Sequence, residues 1–335
     1  MDSLKIVTIG GGGGASQLLL GLQPYTPHLT GVIAVTDTGR STGRARALLN
    51  IPAPGDIRNA LGNLAGEDSL WGQVLQFRIQ TPDYELLDGM AFGNLLLGVL
   101  AQYTGDFVQA VEITRALLGV SARVLPVTTA NTQLCAELLD GTLVEGEFQV
   151  RGLKKPPIKR VFIKDGAARA YDGAVQAVRA ADLIVMGPGS LFTTVLACLD
   201  FHDLAQAIAA SAAPTVYVCN TTTQPGQTDG YTVSDHVRRI VEVLGAGALD
   251  YAIVNTKLPP PELAQQYAKD DVFVLEASAP EIAAVEALGV RVLARDVALL
   301  TEGKRALYQK QDSIRHDAAV IAQILLELAR EKRRR

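Results

Sequence analysis

The chain opens with the apolar run "LKIVTI", residues 4–9, which is short, rich in β-branched side chains and closed by glycine. That pattern predicts a buried parallel strand, because a helix needs more length. Five consecutive glycines follow at 10–14, then "SQLLLGL" with helical spacing and Ser16 as a suitable N-cap. "LTGVIAVTD" predicts a second strand, so the opening reads as a βαβ unit with a right-handed crossover. Residues 55–118 read as mostly helical. "PGDIRNALGNLAG" carries Pro and Asp at its start and glycine at its end, and "MAFGNLLLGVLAQYTG" is apolar on nearly all sides, which predicts burial.

The texture changes between 123 and 165. "ARVLPVTT", "QLCAELLDG", "TLVEGEFQV" and "RVFIKDG" are short, partly alternating runs, and the pair Asp140-Gly141 is a hairpin signal. They predict an antiparallel β meander inserted in, or flanking, the parallel sheet. From 172 the βα rhythm returns: a helix over "GAVQAVRAA", the strand "DLIVMG", helices after "PGS", the strand "TVYVCN", a helix near "SDHVRRIVEVL" and the strand "YAIVN". "VFVLEA" and "VRVLA" predict further short strands, and a last helix runs from Arg315 to about Glu331, ending in a basic tail. No linker or fixed-period repeat divides the chain. The expectation is one α/β domain over 1–335, a Rossmann-like doubly wound and mainly parallel sheet with the meander at 123–165 and a C-terminal helix at 315–335.

Composition changes this picture little. Of 335 residues, 48% are hydrophobic and 20% charged, enough apolar material for a substantial core. A formal charge of −4 argues against a dedicated nucleic-acid binder, and the one dense basic run, "REKRRR", suits a solvated helix end. The three cysteines, Cys135, Cys198 and Cys219, have no paired spacing, and no apolar stretch has membrane-span length. With no signal-peptide pattern at the start, these features point to the cytoplasm.

Candidate chemistry gathers in the loops that follow strands, where open α/β sheets collect ligands. The first loop is Gly11, Gly12, Gly13, Gly14 and Ala15; the second is Gly187, Pro188, Gly189 and Ser190, within "MGPGSLFTTV". Glycines let main-chain N–H groups approach an anion, a helix N-terminus adds partial positive charge, and hydroxyls at Ser190, Thr193 and Thr194 can donate to phosphate. A third loop, "CNTTTQPGQTDGY", supplies Asn220, Thr223 and Gln224 to line the crevice. A fourth segment, residues 35–61, carries Asp37, Arg40, Arg44, Arg46, Asp56, Arg58 and Asn59, arginine forks suited to phosphates beside acids that can position them or hold a metal. Asp37 also stands where a ribose-binding acid would lie, which keeps NAD open as a ligand and an NAD-binding oxidoreductase as a weaker alternative, although no acid–base pair for hydride chemistry is evident. The four histidines show no zinc spacing, "GGGGGAS" lacks the Gly-Lys-Ser/Thr of a P-loop, and "GPGSLF" lacks the second glycine of a nucleophile elbow. His236 reads equally as a crevice residue or as a surface histidine at a helix start.

Four blocks carry a resemblance to a known family: the glycine loop with "LLLGL"; "STGRAR" followed by "PGDIRNAL"; "GNLLLGVLAQYTGDFVQAV"; and "ADLIVMGPGSLFTT" with "VYVCNTTTQPGQTDGYTVSDHV". Together they resemble the CofD/YvcK superfamily, in particular its YvcK-like branch of gluconeogenesis factors (UPF0052). The resemblance implies a Rossmann-like sheet whose strand-end crevice holds a nucleotide, a UDP-sugar such as UDP-N-acetylglucosamine in the YvcK-like branch, with a role in carbon use and cell shape. It also implies a crevice wall of Asp37, Thr38, Arg40, Ser41, Asp56, Arg58, Asn59 and Asn94, and a homodimer. The CofD branch implies instead a transferase that moves a phospholactate group in the coenzyme F420 pathway from a guanosine-diphosphate-linked donor with Mg²⁺. This chain departs from both where YvcK-like proteins read "ADDGGSSGR": here the segment is "TDTGRSTGR", with Thr38 at the second acid and Arg40 at a glycine. A threonine supplies neither charge for Mg²⁺ nor a carboxylate base. That weakens the transferase expectation, leaves Asp37 and Asp56 as the candidate catalytic acids, and leaves nucleotide binding intact.

Overall fold

The computed structural model describes residues 3–300 and 314–334. Its centre is a seven-stranded sheet made of β1 (Ile6–Gly10), β2 (Leu29–Ile33), β3 (Arg123–Pro126), and, after an excursion, β7 (Leu183–Met186), β8 (Thr215–Val218), β9 (Tyr251–Asn255) and β10 (Arg291–Arg295). The order is β10-β9-β8-β7-β1-β2-β3 and every pairing is parallel. All residues of β1, β2, β7 and β8 are buried, as expected of strands covered on both faces. The excursion holds the separate antiparallel sheet β5-β4-β6, built from β4 (Leu134–Leu138), β5 (Leu143–Glu145) and β6 (Ile158–Ile163).

Helices cover the main sheet. The first half supplies α1 (Gly12–Leu22), α2 (Arg40–Leu49), α3 (Gly55–Leu64), α4 (Leu70–Gln76), α5 (Phe92–Thr104), α6 (Phe107–Leu117) and the short α7 (Glu147–Val150). The second half adds α8 (Asp172–Arg179), a π-wound segment (Leu191–Leu196) that runs into α9 (Ala197–Leu199), α10 (His202–Ala209), α11 (Val233–Leu244), α12 (Pro261–Ala268), α13 (Ala279–Glu286) and α14 (Ala318–Arg334). Among the described residues no single helix is long and apolar enough to cross a membrane.

Four expectations change. Residues 123–126 do not join the meander: they form β3, parallel to β2 at the sheet edge, with Val124 and Leu125 buried. The segment past β2 is a loop only over residues 34–39: Arg40–Leu49 then forms the unexpected helix α2, while the helix expected over "PGDIRNALGNLAG" is α3. "VFVLEA" forms only the isolated bridge Thr222–Val274, because β8 already has β7 and β9 as neighbours and leaves no edge to join. The last helix begins at Ala318; Arg315–His316 instead pairs antiparallel with Ala298–Leu299. The basic-tail side chains at 332–335 lie outside the described residues.

The closest helix contact with the tail segment is made by glycine. A Cβ on Gly21 of α1 would stand 2.8 Å from the Ala318 carbonyl oxygen at the start of α14. Gly21→Val is therefore expected to cost about 1–3 kcal/mol and to lower the melting temperature by roughly 3–10 °C. Gly166→Ala, where nothing lies within 4 Å of the added carbon, should melt like the parent. Circular-dichroism melting of the two variants checks the contrast.

Candidate functional site

The sheet reverses its direction of winding between β1 and β7, the point at which an open α/β sheet forms its crevice. Both glycine turns leave these two strands, and they interlock. The Gly187 N–H donates to Ile9 O at 2.8 Å. A Cβ on Gly14 would stand 2.7 Å from Pro188 O, and one on Gly189 would stand 3.1 Å from Gly11 O. Gly12 and Gly187 also have left-handed backbones, with φ of +70° and +76°, that side chains rarely adopt. Gly11, Ala15, Gly187 and Pro188 are buried in this contact, whereas Gly13 is exposed, with open space where its side chain would be.

α1 begins without a side-chain cap of its own. Its cap comes from α3: Asp56 Oδ2 accepts the Gly12 N–H at 2.8 Å. The fit is tight, since a Cβ on Gly11 would stand 2.5 Å from the same oxygen. Arg58 follows two residues on. Burial, reinforced by Arg78, lowers its pKa to about 10, while Asp56 and Asp37 oppose the shift, so the guanidinium stays cationic at neutral pH. It donates to Gln76 Oε1, and its Nε is buried with no hydrogen-bond partner among the described residues. Asp37 Oδ1 accepts the Gly39 N–H at 2.7 Å, and Asn59 Oδ1 accepts from Gln76 Nε2 at 3.5 Å.

The rest of the expected wall divides. Thr38 Oγ1 accepts the Phe148 N–H at 3.3 Å and so ties the end of β2 to α7 in the insertion. Ser41 Oγ accepts from Ala91 N at 2.9 Å and from Asn94 Nδ2 at 3.0 Å, so these two side chains pair inside the core and do not face the crevice. Arg40 starts α2, and its side chain lies outside the described residues. Arg44 and Arg46 are braces: Arg44 donates to Glu85 O and Asp88 O, and Arg46 to Asn131 Oδ1 and Thr132 O.

In the second turn the hydroxyl protons expected to face a phosphate are directed inward. Thr193 Oγ1 donates to Ser190 Oγ at 2.9 Å, Ser190 Oγ donates to Gln227 Oε1 at 2.8 Å, and Thr194 Oγ1 donates to Ser190 O at 2.8 Å. This relay ends on Gln227, whose Nε2 is buried with no hydrogen-bond partner among the described residues. Gln227 lies in the polar loop that the sequence marks, one glycine past Gln224, but it was not among the expected lining residues; the contact with Ser190 is what singles it out. Asn220 Nδ2 holds the turn from the other side by donating to Gly189 O at 2.9 Å. Thr223 and Gln224 are buried: Thr223 Oγ1 accepts the Phe273 N–H at 2.9 Å, and the Gln224 N–H donates to Thr228 Oγ1 at 2.8 Å.

The donor set does not fit a Mg²⁺ held by protein groups alone. No three His, Cys, Asp or Glu side chains gather among the described residues, Asp37 and Asp56 each accept a backbone N–H, and residue 38 is threonine. His236 is fully buried, which removes its reading as a surface histidine. Its Nδ1 lies 2.8 Å from Thr232 O, and its ring meets Tyr231 edge-on at 5.6 Å.

The comparisons with known proteins follow this geometry. The family model for 2-phospho-L-lactate transferase CofD matches residues 6–298. A curated relative from Nostoc sp. is 39% identical over 332 residues, covering 96% of this chain and 68% of its own length. The protein named gluconeogenesis factor from Bacillus subtilis is 36% identical, covering 98% of each chain. A crystal structure of a UPF0052 family member from Bacillus halodurans superposes with a TM-score of 0.88 at 35% identity, covering 97% of this chain and 99% of that one.

Burial lowers the His236 pKa from 6.5 to about 4, against smaller opposing effects of the Thr232 carbonyl and Asp235. The unfolded chain therefore takes up this proton first as pH falls. The stabilisation is complete above pH 6.5 and is lost between about 6.5 and 4, amounting to about 2–3 kcal/mol. Urea titrations at pH 7.5 and 4.5 should show the parent losing that much more stability than His236→Gln; equal losses in both proteins would refute it.

Proposed function

The chain belongs to the CofD family, in its YvcK-like group of gluconeogenesis factors, and from that membership we propose that it is a cytoplasmic nucleotide-sugar sensor. Its ligand on this reading is a UDP-sugar of the UDP-N-acetylglucosamine kind, and its role is the regulation of carbon use and cell shape. The observation that carries the reading is the interlock of the two glycine turns at the switch point, with a Cβ on Gly14 only 2.7 Å from Pro188 O. Two helix starts and their glycine amides share one patch there, a surface suited to a diphosphate. The Asp56 carboxylate already takes one of those amides, so the diphosphate belongs on the outer side of the turn, at Gly13 and toward Ser190.

A transferase of a phosphorylated group, a 2-phospho-L-lactate transferase of the CofD type, is the second reading, favoured by the description of the matching family model. It is weaker because the acids it would use, Asp37 and Asp56, are hydrogen-bonded to backbone, and Thr38 cannot replace the missing carboxylate.

Calorimetric titration with UDP-N-acetylglucosamine, GDP and NAD separates the ligands. The reading expects heat with the UDP compound and little with the other two; silence with it at millimolar concentration would reject the proposal. Two glycine variants then test the patch. Gly14→Ala forces the turns apart and should weaken binding at least tenfold, whereas Gly13→Ala, whose added carbon meets open space, should stay within about threefold.

A further inference from the structure

A cavity of about 530 Å³ lies beyond the crevice wall, between the end of β2 and the inserted sheet. Thr38 and Gly39 form one side; Gln133, Glu145, Phe148 and Gln149 form the other. The contacts already described link its Thr38 side to the turns. Ala34 N–H donates to Gly10 O at 2.8 Å, Asp56 bonds the Gly12 N–H, and the charges of Asp56 and Asp37 both act on Arg58. Thr38 is the next residue.

Three polar oxygens converge in this cavity. From the position that a Cβ on Gly146 would take, Thr38 Oγ1 is 3.1 Å away, Gln149 Oε1 3.2 Å and Gln133 Oε1 3.6 Å. Two carboxamides can each donate and accept, which matches neighbouring hydroxyl groups. Phe148 is 65% exposed and offers an apolar ring face beside them. Among the described lining residues there is no lysine or arginine, and the one charge is Glu145, paired at 2.6 Å with Lys164 outside the cavity, a lining better matched to an uncharged group than to an anion.

We propose that this cavity is the sugar subsite of the crevice, taking the uncharged, hydroxyl-rich end of a nucleotide sugar, with Gln149 and Phe148 as its specificity-determining residues. The inference rests on the nucleotide-sugar reading above and adds its direction: diphosphate at the β1–β7 switch point, sugar past the end of β2 against the insertion. Thr38 is then a positioning residue, holding α7 through the Phe148 N–H.

The test compares UDP with UDP-N-acetylglucosamine by calorimetry on the full chain, the Gln149→Ala variant and the Phe148→Ala variant, with far-UV circular dichroism as the folding control. Both side chains are exposed, so both variants should fold. The parent is expected to bind the sugar nucleotide more tightly than UDP. Each variant should lose about tenfold in affinity for the sugar nucleotide and keep its affinity for UDP. Equal affinity of the parent for both compounds, or equal losses for both in the variants, overturns the subsite and leaves nucleotide binding standing. Failure of UDP-N-acetylglucosamine to bind the parent overturns the nucleotide-sugar reading and the subsite with it.

Discussion

The strand-end architecture depends on two backbones lying closer than any side chain permits. Parallel neighbours in a sheet are about 4.8 Å apart, so turns leaving β1 and β7 on the same side must share one space. Here they share it by omitting side chains: Gly14 abuts Pro188 O, Gly189 abuts Gly11 O, and Gly10 faces the Gly187 Cα. Because the turns touch, the segments that follow them, α1 and the helical stretch from Leu191, begin close to one another. A larger residue at Gly14 or Gly189 would separate those helix starts and dismantle the patch without touching any ligand group.

That patch is not a bare positive surface. Asp56 caps α1 at Gly12, a carboxylate on the very helix end that would otherwise hold an external anion. Such an internal anion at a helix N-terminus is stabilising, and it also lowers the field offered to a second one. Arg58 offsets it from behind, buried yet cationic, with Asp37 as a further partner. Arg46 also feels the charge of Asp37, so both acids of this wall are offset from within the protein, and on the proposed reading the attraction for a diphosphate falls to the glycine amides on the outer turn and to the segment around Ser190. The Ser190–Gln227 relay fits that division of labour, since it orients a buried carboxamide toward the second turn and not the first.

Much of this was legible from the chain because the signals are local. A short β-branched run closed by glycine gave β1, the same grammar gave β7 and β8, and the polar loop after β8 marked Asn220 as a neighbour of the second turn. What local patterns did not settle was partnership. "RVLP" has the texture of a meander strand, but it pairs with β2, a choice made by the sheet edge left open there and not by its own residues. Ser41 and Asn94, which resemblance set on the crevice wall, satisfy each other instead. Arg44 and Arg46 looked like phosphate ligands, yet their forks match carbonyls on the loop at 85–88 and at 131–132 equally well. The cavity against the insertion had no signal at all, since Gln149 meets Thr38 only once β5 and α7 are folded over the end of β2.

The strand order also sets a length. From β8 across β7 and β1 to β2 there are three inter-strand steps, about 14 Å in all. Asn220 stands at one end of that span and Thr38 at the other, with the glycine turns between them. A mononucleotide bound at the turns would leave one end of this edge empty. On the proposed reading, a diphosphate with a nucleoside on one side and a second ring on the other fills it. Thr223 and Gln224 are turned into the protein, so on that reading contacts at the β8 end would fall to Asn220 and Gln227, and contacts at the β2 end to carboxamides and a ring of the insertion. On that reading the inserted sheet supplies the wall of the crevice beyond the carboxyl end of β2.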